Sequence, residues 1–209
     1  MTYYDLSVKE FVEKLGSGDP TPGGGGSSAL NAALGIALTK MVTEFTVGKK
    51  RYAEHNELNE RVLKEAEDLM NKFLQGIEDD RQAFDEVGKV YAMPRGTEEE
   101  KEARRVAMQE ATLVALKPPF DLMELCVEAL KVTEEIVGKS NPNVASDVGV
   151  AAVQLKGALQ SSWVSVVVNL GILKDEDLKA QYQARGEALL AEGSEIAERV
   201  YEAIIEQVK

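Results

Sequence analysis

The apolar positions of this chain recur at helical spacing almost from end to end. Val8, Phe11, Val12 and Leu15 form the first such face. Its start signal is complete: Ser7 stands at the N-cap, Glu10 closes a capping box, and Leu6 with Phe11 fits a hydrophobic staple. Gly16 and Gly18 end that helix. A second helix is expected from about Ser28 to Val47. Its residues Leu30, Leu34, Ile36, Leu38, Met41, Val42 and Phe45 surround most of its circumference, with Ala, Gly and Ser between them. A helix apolar nearly all round belongs in the middle of a bundle.

From Arg51 to about Val90 the pattern is long and amphipathic, carried by Leu58, Val62, Ala66, Met70, Phe73, Leu74 and Ile77. Met93-Pro94-Arg95-Gly96 breaks it. Thr97 with Glu100 makes a second capping box, opening a charged helix expected to end near Leu116 at Lys117-Pro118-Pro119. A further helix follows over Phe120 to Val137, with Gly138 suited to its C′ position. After the turn Ser140-Asn141-Pro142-Asn143, the next helix begins between Val144 and Asp147 and runs to about Asn169, where Gly171 stops it. Val164 to Val168 has β propensity, but Leu155, Leu159, Trp163, Val166 and Leu170 keep helical spacing through it. Asp175 opens the last helix, whose face is Leu178, Tyr182, Leu189, Ile196, Val200, Ile204 and Val208. The pattern predicts an all-α fold, one domain over residues 1–209, built as a bundle of long antiparallel helices around buried, small-residue central helices.

Composition narrows the function classes. With 209 residues, 44% of them hydrophobic, the chain is globular and has enough material for one generous core. A formal net charge of −12 disfavours a nucleic-acid surface. The single cysteine, Cys126, rules out an intramolecular disulfide. With the single histidine, His55, it also argues against a one-chain zinc site or a Cys-His or Ser-His dyad. No apolar run approaches the ~20 residues that span a bilayer, and no secretory signal opens the chain. A cytoplasmic protein without a membrane partner is expected.

Three segments stand out as chemistry. Pro20-Thr21-Pro22-Gly23-Gly24-Gly25-Gly26-Ser27 leads into an uncharged helix, so backbone N–H groups at a helix N-terminus are free to meet an anion. A glycine run also serves as plain loop and cap. It is not a nucleotide loop, because no lysine follows until Lys40, nor a dinucleotide fingerprint, because no strand precedes it. In Glu78-Asp79-Asp80-Arg81-Gln82-Ala83-Phe84-Asp85, Asp80 shares a face with Ala83 and Phe84, while Glu78, Asp79 and Asp85 can turn outward. A carboxylate beside apolar groups is a candidate for acid/base work, and a solvated acidic patch is the plain alternative. Ser140-Asn141-Pro142-Asn143-Val144-Ala145-Ser146-Asp147 opens a second small-residue helix. Asp147 suits a cap there, and two such turns suggest one shared site inside the bundle.

These residues carry a resemblance. Pro20 to Gly25 with the Ala-rich helix, Asp80-x-x-Ala83-Phe84 followed by Met93-Pro94-Arg95, Ser140-Asn141-Pro142-Asn143-x-x-Ser146-Asp147-x-Gly149-Val150-Ala151-Ala152, and Asn169-Leu170 resemble the cyclodeaminase/cyclohydrolase family of tetrahydrofolate enzymes, in order, from about Leu6 to Leu173. The resemblance implies an all-helical homodimer or dimer-based assembly, no metal and no cofactor, and a reduced folate substrate whose one-carbon unit bridges N5 and N10. It implies formiminotetrahydrofolate cyclodeaminase activity, with release of ammonia. The alternative is methenyltetrahydrofolate cyclohydrolase activity, and a second alternative is a helical dimer that binds folate or another anion without turnover. Asp80 and Asp147 are then the expected catalytic carboxylates. Pro22, Gly23, Gly24, Gly25, Gly26, Ser27, Arg95, Asn141, Asn143 and Ser146 are the expected substrate contacts, with Arg95 for a glutamate carboxylate of the folate tail. The chain departs from the family pattern at Ser161, Trp163 and Ser165, and at Arg81.

Overall fold

A computed structural model describes residues 2–209. Six α-helices account for most of them: α1 (Val8–Leu15), α2 (Gly24–Glu44), α3 (Asn56–Tyr91), α4 (Glu98–Glu135), α5 (Ala145–Ile172) and α6 (Glu176–Val208). Short 3-10 turns cover Tyr3–Asp5, Lys50–His55 and Pro142–Val144. No strand occurs among the described residues, and Val164 to Val168 lies inside α5. The caps behave as the sequence predicts. Ser7 accepts from the Glu10 N–H, Thr97 from the Glu100 N–H and Asp175 from the Leu178 N–H.

Long helices consecutive in the chain pack antiparallel, while α4 and α6 run parallel. α2 lies against α3 and α5, α4 against α3, α5 and α6, and α6 covers α5. Phe73, Leu69 and Ile77 of α3, Ile36 of α2, Leu116, Met123 and Leu130 of α4, and Leu155 and Leu159 of α5 are fully buried between them. Small residues set the closest approach: a Cβ on Gly35 would stand 2.9 Å from Leu155 Cγ and 3.2 Å from the Ala151 carbonyl. Buried polar groups on these helices find partners, as in the Thr39–Thr133 hydroxyl pair at 2.8 Å.

Four expectations are corrected. Lys117-Pro118-Pro119 does not end a helix, because α4 continues through both prolines for 38 residues. Pro119 has no N–H for the Ala115 carbonyl, and the Asn169 side chain supplies a donor to that oxygen at 3.4 Å. This gives Asn169 a structural role on α5. Gly171 likewise sits inside α5 rather than stopping it. Val8 and Val12 of α1 are largely exposed, while Phe11 is buried and Leu15 is partly buried against the core, so the helix docks by a narrow edge rather than by the whole predicted face. Finally, α2 is not enclosed on all sides. Leu34 is 52% exposed, and Leu30, Leu38 and Met41 beside it are only partly covered.

Trp163, a departure from the family pattern, points at α6, where Gly186 makes room for it. A Cβ at Gly186 would stand 2.2 Å from a ring carbon of Trp163. The ring is rigid and held in the core, so Gly186→Ala is expected to destabilise the fold by about 1–3 kcal/mol. A thermal melt followed by circular dichroism checks this, and an unchanged midpoint would contradict the packing.

Candidate functional site

The glycine run is the first turn of α2, not the loop before it. Gly23 is the N-cap, and Gly24, Gly25 and Gly26 have helical backbone. Their N–H groups have no carbonyl one turn earlier to bond, which leaves a positive helix end. The anion there is the protein's own: Asp80, from the C-terminal third of α3, accepts the Gly26 N–H at 3.0 Å. Ile77, one turn before Asp80, packs with Pro22 against Gly26 and holds the two helices in that register. Gly25 leaves the space this carboxylate occupies, since a Cβ on it would stand 2.0 Å from Asp80 Oδ1. Burial pushes the Asp80 carboxyl above its ordinary value, and the Gly26 N–H pulls against that shift without cancelling it. A half-buried carboxylate at a helix N-terminus, with its proton affinity raised, is equipped to take up and return a proton.

Glu78 does not turn outward as the sequence suggests. It is buried, 4% exposed. Its carboxylate accepts the Tyr3 N–H and the Arg81 Nε–H, the latter at 2.9 Å, while Arg81 also reaches Asp85 at 2.9 Å. Arg81, the second departure from the family pattern, therefore neutralises the buried Glu78 and leaves Asp80 without a cationic partner. The Tyr3 ring lies under the Arg81 guanidinium at 5.9 Å, and its hydroxyl is 2.8 Å from the Thr21 hydroxyl. This chain of contacts ties the N-terminal segment, the start of α2 and the Asp80 turn of α3 into one unit. Its only sequence signal is the i,i+3 spacing of Glu78 and Arg81.

Beside the first turn of α2 a cavity of about 420 Å³ is lined by Gly24, Ser27, Ser28, Leu30, Asn31, Leu34 and Ser161. The Ser28 hydroxyl lies 2.8 Å from that of Ser161 and 2.7 Å from the Gly24 carbonyl. Ser161, read in the sequence only as a departure, is thus part of the wall. Ser28 was not among the expected site residues. Pro22, Gly23 and Ser27 stand at this end of α2.

The second turn lies elsewhere in the chain. The Asn141 N–H donates to Thr46 Oγ1 at 2.9 Å and the Asn141 side chain to the Phe45 carbonyl at 3.3 Å. Its Oδ1 accepts from Tyr52 at 2.9 Å and from the Asn143 N–H at 3.1 Å. Phe45 and Thr46 directly follow α2, whose 21 residues span about 30 Å. Asn141, Asn143, Ser146 and Asp147 therefore sit at the far end of α2 from Asp80 and the glycines. The single shared site expected from the sequence is not assembled within one chain. Asn143 and Ser146 are exposed and Asp147 is half-buried in the first turn of α5. Arg95 is exposed between α3 and α4, where it lines a concavity of about 250 Å³ with Lys101, Arg104 and Arg105.

Comparison with known proteins adds independent information. The family described as formiminotransferase-cyclodeaminase matches residues 7–188. A protein named methenyltetrahydrofolate cyclohydrolase from Methylorubrum extorquens is 38% identical over 202 residues, 97% of each chain. The formimidoyltransferase-cyclodeaminase of Sus scrofa is 29% identical over 185 residues; these are 88% of this chain but only 34% of that larger protein. The crystal structure of a formiminotetrahydrofolate cyclodeaminase from Thermotoga maritima superposes with a TM-score of 0.79 at 28% identity, covering 97% of this chain and 95% of the other.

Proposed function

This chain belongs to the formiminotransferase-cyclodeaminase family and is an enzyme of tetrahydrofolate one-carbon chemistry, and from that premise we propose that it is a methenyltetrahydrofolate cyclohydrolase with Asp80 as its proton-transfer group. The observation that carries the choice is the 38% identity, end to end, with a protein of that name. Cyclodeaminase activity is the second reading, favoured by the 0.79 TM-score against a cyclodeaminase.

In the cyclohydrolase reaction, water adds to the methenyl carbon of the 5,10-methenyl cation. The tetrahedral adduct then breaks its bond to N5, and the carbon stays on N10 as a formyl group. Both protons of the attacking water are lost in turn, the first on addition and the second from the hydroxyl of the adduct; one proton arrives at N5, and the sum releases one proton. Asp80 takes a proton from the water and delivers one to N5, and the other passes to solvent. Its carboxylate also faces a substrate cation, and the Gly26 N–H keeps it oriented. The cavity beside Ser28 and Ser161 supplies room for the folate ring system, and Arg95 meets a carboxylate of its tail. In the cyclodeaminase reaction the same carboxylate takes the N10 proton and protonates the departing nitrogen. No metal or further cofactor enters either scheme. The assembly is a homodimer. The single buried thiol, Cys126, asks for no oxidising compartment and fits a cytoplasmic location.

Purified protein given 5,10-methenyltetrahydrofolate is expected to bleach its near-ultraviolet absorbance well above the buffer rate. Given 5-formiminotetrahydrofolate, a cyclodeaminase releases ammonia. Ammonia release without hydrolysis of the methenyl compound assigns the second reading, and inactivity with both overturns the enzyme proposal.

A further inference from the structure

We propose that the Ser161 hydroxyl, held in place by Ser28, is the second acceptor for the attacking water, opposite Asp80, and that it tips the chain toward hydrolysis over ammonia release. This rests on the cyclohydrolase reading of the same site and deepens it.

The first observation is where the hydroxyl hydrogens go. Ser28 is buried, and its Oγ stands 2.7 Å from the Gly24 carbonyl and 2.8 Å from Ser161 Oγ. Ser161 Oγ in turn stands 2.8 Å from the Gly157 carbonyl and 3.1 Å from that of Ala158. Each hydroxyl carries one hydrogen. The carbonyls and the contact between the hydroxyls take up both. What Ser161 turns to the cavity is therefore a lone pair. Asn31, on the same wall, donates from Nδ2 to the Gln154 carbonyl at 2.9 Å, and its oxygen adds a further acceptor. A group that meets Ser161 here has to donate a hydrogen. No lysine or arginine lines this cavity, so a carboxylate finds no counter-charge in it. Water is the smallest occupant with hydrogens to give.

The second observation is where the pair stands. The first turn of α2 is met from two sides. Asp80 of α3 reaches it at Gly25 and Gly26, and Ser161 of α5 reaches it through Ser28, whose hydroxyl sits on the Gly24 carbonyl. The two side chains bracket one helix end. A water held with one hydrogen toward Asp80 and the other toward Ser161 keeps an oxygen lone pair for the substrate carbon. As the C–O bond forms, the first proton passes to Asp80. Ser161 keeps the second in a hydrogen bond until the adduct loses it to solvent. In ammonia release the nucleophile is N10 of the substrate and no water adds, so an acceptor at this place contributes nothing. Ser28 acts through Ser161 and is a positioning residue.

The test follows hydrolysis of 5,10-methenyltetrahydrofolate by the full chain and by Ser161→Ala. The variant is expected to lose about tenfold or more in kcat, with KM within about twofold of the parent, because the lost contact is to the water and not to the folate. Its thermal midpoint should hold, since alanine is the better helix former, and the pH limb set by Asp80 should stay where it is. Ser161→Thr is expected to restore most of the kcat. Thr112 and Thr133 each set Oγ1 on the carbonyl one turn back at 2.7 Å, as Ser161 does, so the hydroxyl returns to its place. Where the parent also releases ammonia from 5-formiminotetrahydrofolate, Ser161→Ala should keep that activity. A kcat within about threefold of the parent overturns the inference. So does a raised KM at unchanged kcat, which would make Ser161 a contact of a pteridine N–H, and so does a threonine variant as slow as the alanine one. A parent that does not hydrolyse the methenyl compound fails the functional proposal before any variant is compared. An active parent with an indifferent Ser161→Ala fails this inference alone.

Discussion

Asp80→Asn is expected to lower turnover by about 10²-fold or more while leaving the fold at least as stable as the parent. The two effects have one cause. Burial in the α2–α3 seam disfavours the charged carboxylate, so its pKa is raised relative to the unfolded chain. A native state that holds its proton more tightly loses stability as pH rises from the ordinary aspartate value of about 3.9 through the raised folded value. At neutral pH the ionised Asp80 is thus a cost to folding. An asparagine keeps the acceptor for the Gly26 N–H, removes the charge, and cannot relay a proton. Turnover of the parent should fall as pH drops through the raised Asp80 value, above where an ordinary aspartate would titrate, and the variant should lack that limb. A loss under about threefold in a folded Asp80→Asn protein would remove the residue from the mechanism.

Gly25→Ala is expected to cost about 10²-fold in turnover with little change in stability. The added Cβ would stand 2.0 Å from one carboxylate oxygen of Asp80 and 2.4 Å from its Cγ. What yields is the tip of a short side chain, not backbone, so Asp80 rotates away and gives up the Gly26 N–H. The backbone of Gly25 is helical, so Ala fits it, and the smaller unfolded-state entropy of Ala, worth about 0.4–1 kcal/mol, offsets the strain of the clash. Gly88→Ala on α3 is the control, because its Cβ meets nothing within 4 Å; it should keep full activity. A fully active Gly25→Ala enzyme would mean that the observed Asp80 rotamer is not the working one.

Much of this architecture is legible in the chain. Ser7 with Glu10, Thr97 with Glu100, and Asp175 announce helix starts because capping is a local exchange of hydrogen bonds among neighbours. The β-prone Val164–Val168 run is helical because burial of Leu159, Val166 and Leu170 outweighs local preference. The misreadings share a non-local origin. Pro118 and Pro119 read as a break because the donor that relieves them, Asn169, is 50 residues away from Pro119 in sequence (roughly fourteen turns of an ideal helix). Glu78 reads as a surface residue because the Tyr3 N–H that accompanies it inside comes from the other end of the chain's first half.

The candidate site divides the same way. That Asp80, the glycine run and the Ser140–Asp147 turn are chemically special was written in residue types: glycines where backbone must approach, carboxylates beside apolar positions. Which of them meet was not. Periodicity assigns a residue to a face of its own helix, but it carries no information about which end of a neighbouring helix that face touches. By itself the sequence determined the helices, their caps, the uncharged character of α2 and α5, and the family. The tertiary structure decided that Asp80 occupies the helix end the glycines open, and that the second turn sits some 30 Å away at the opposite end of α2. Helix formation is a matter of near neighbours, whereas helix docking is settled only by the packing of the whole core.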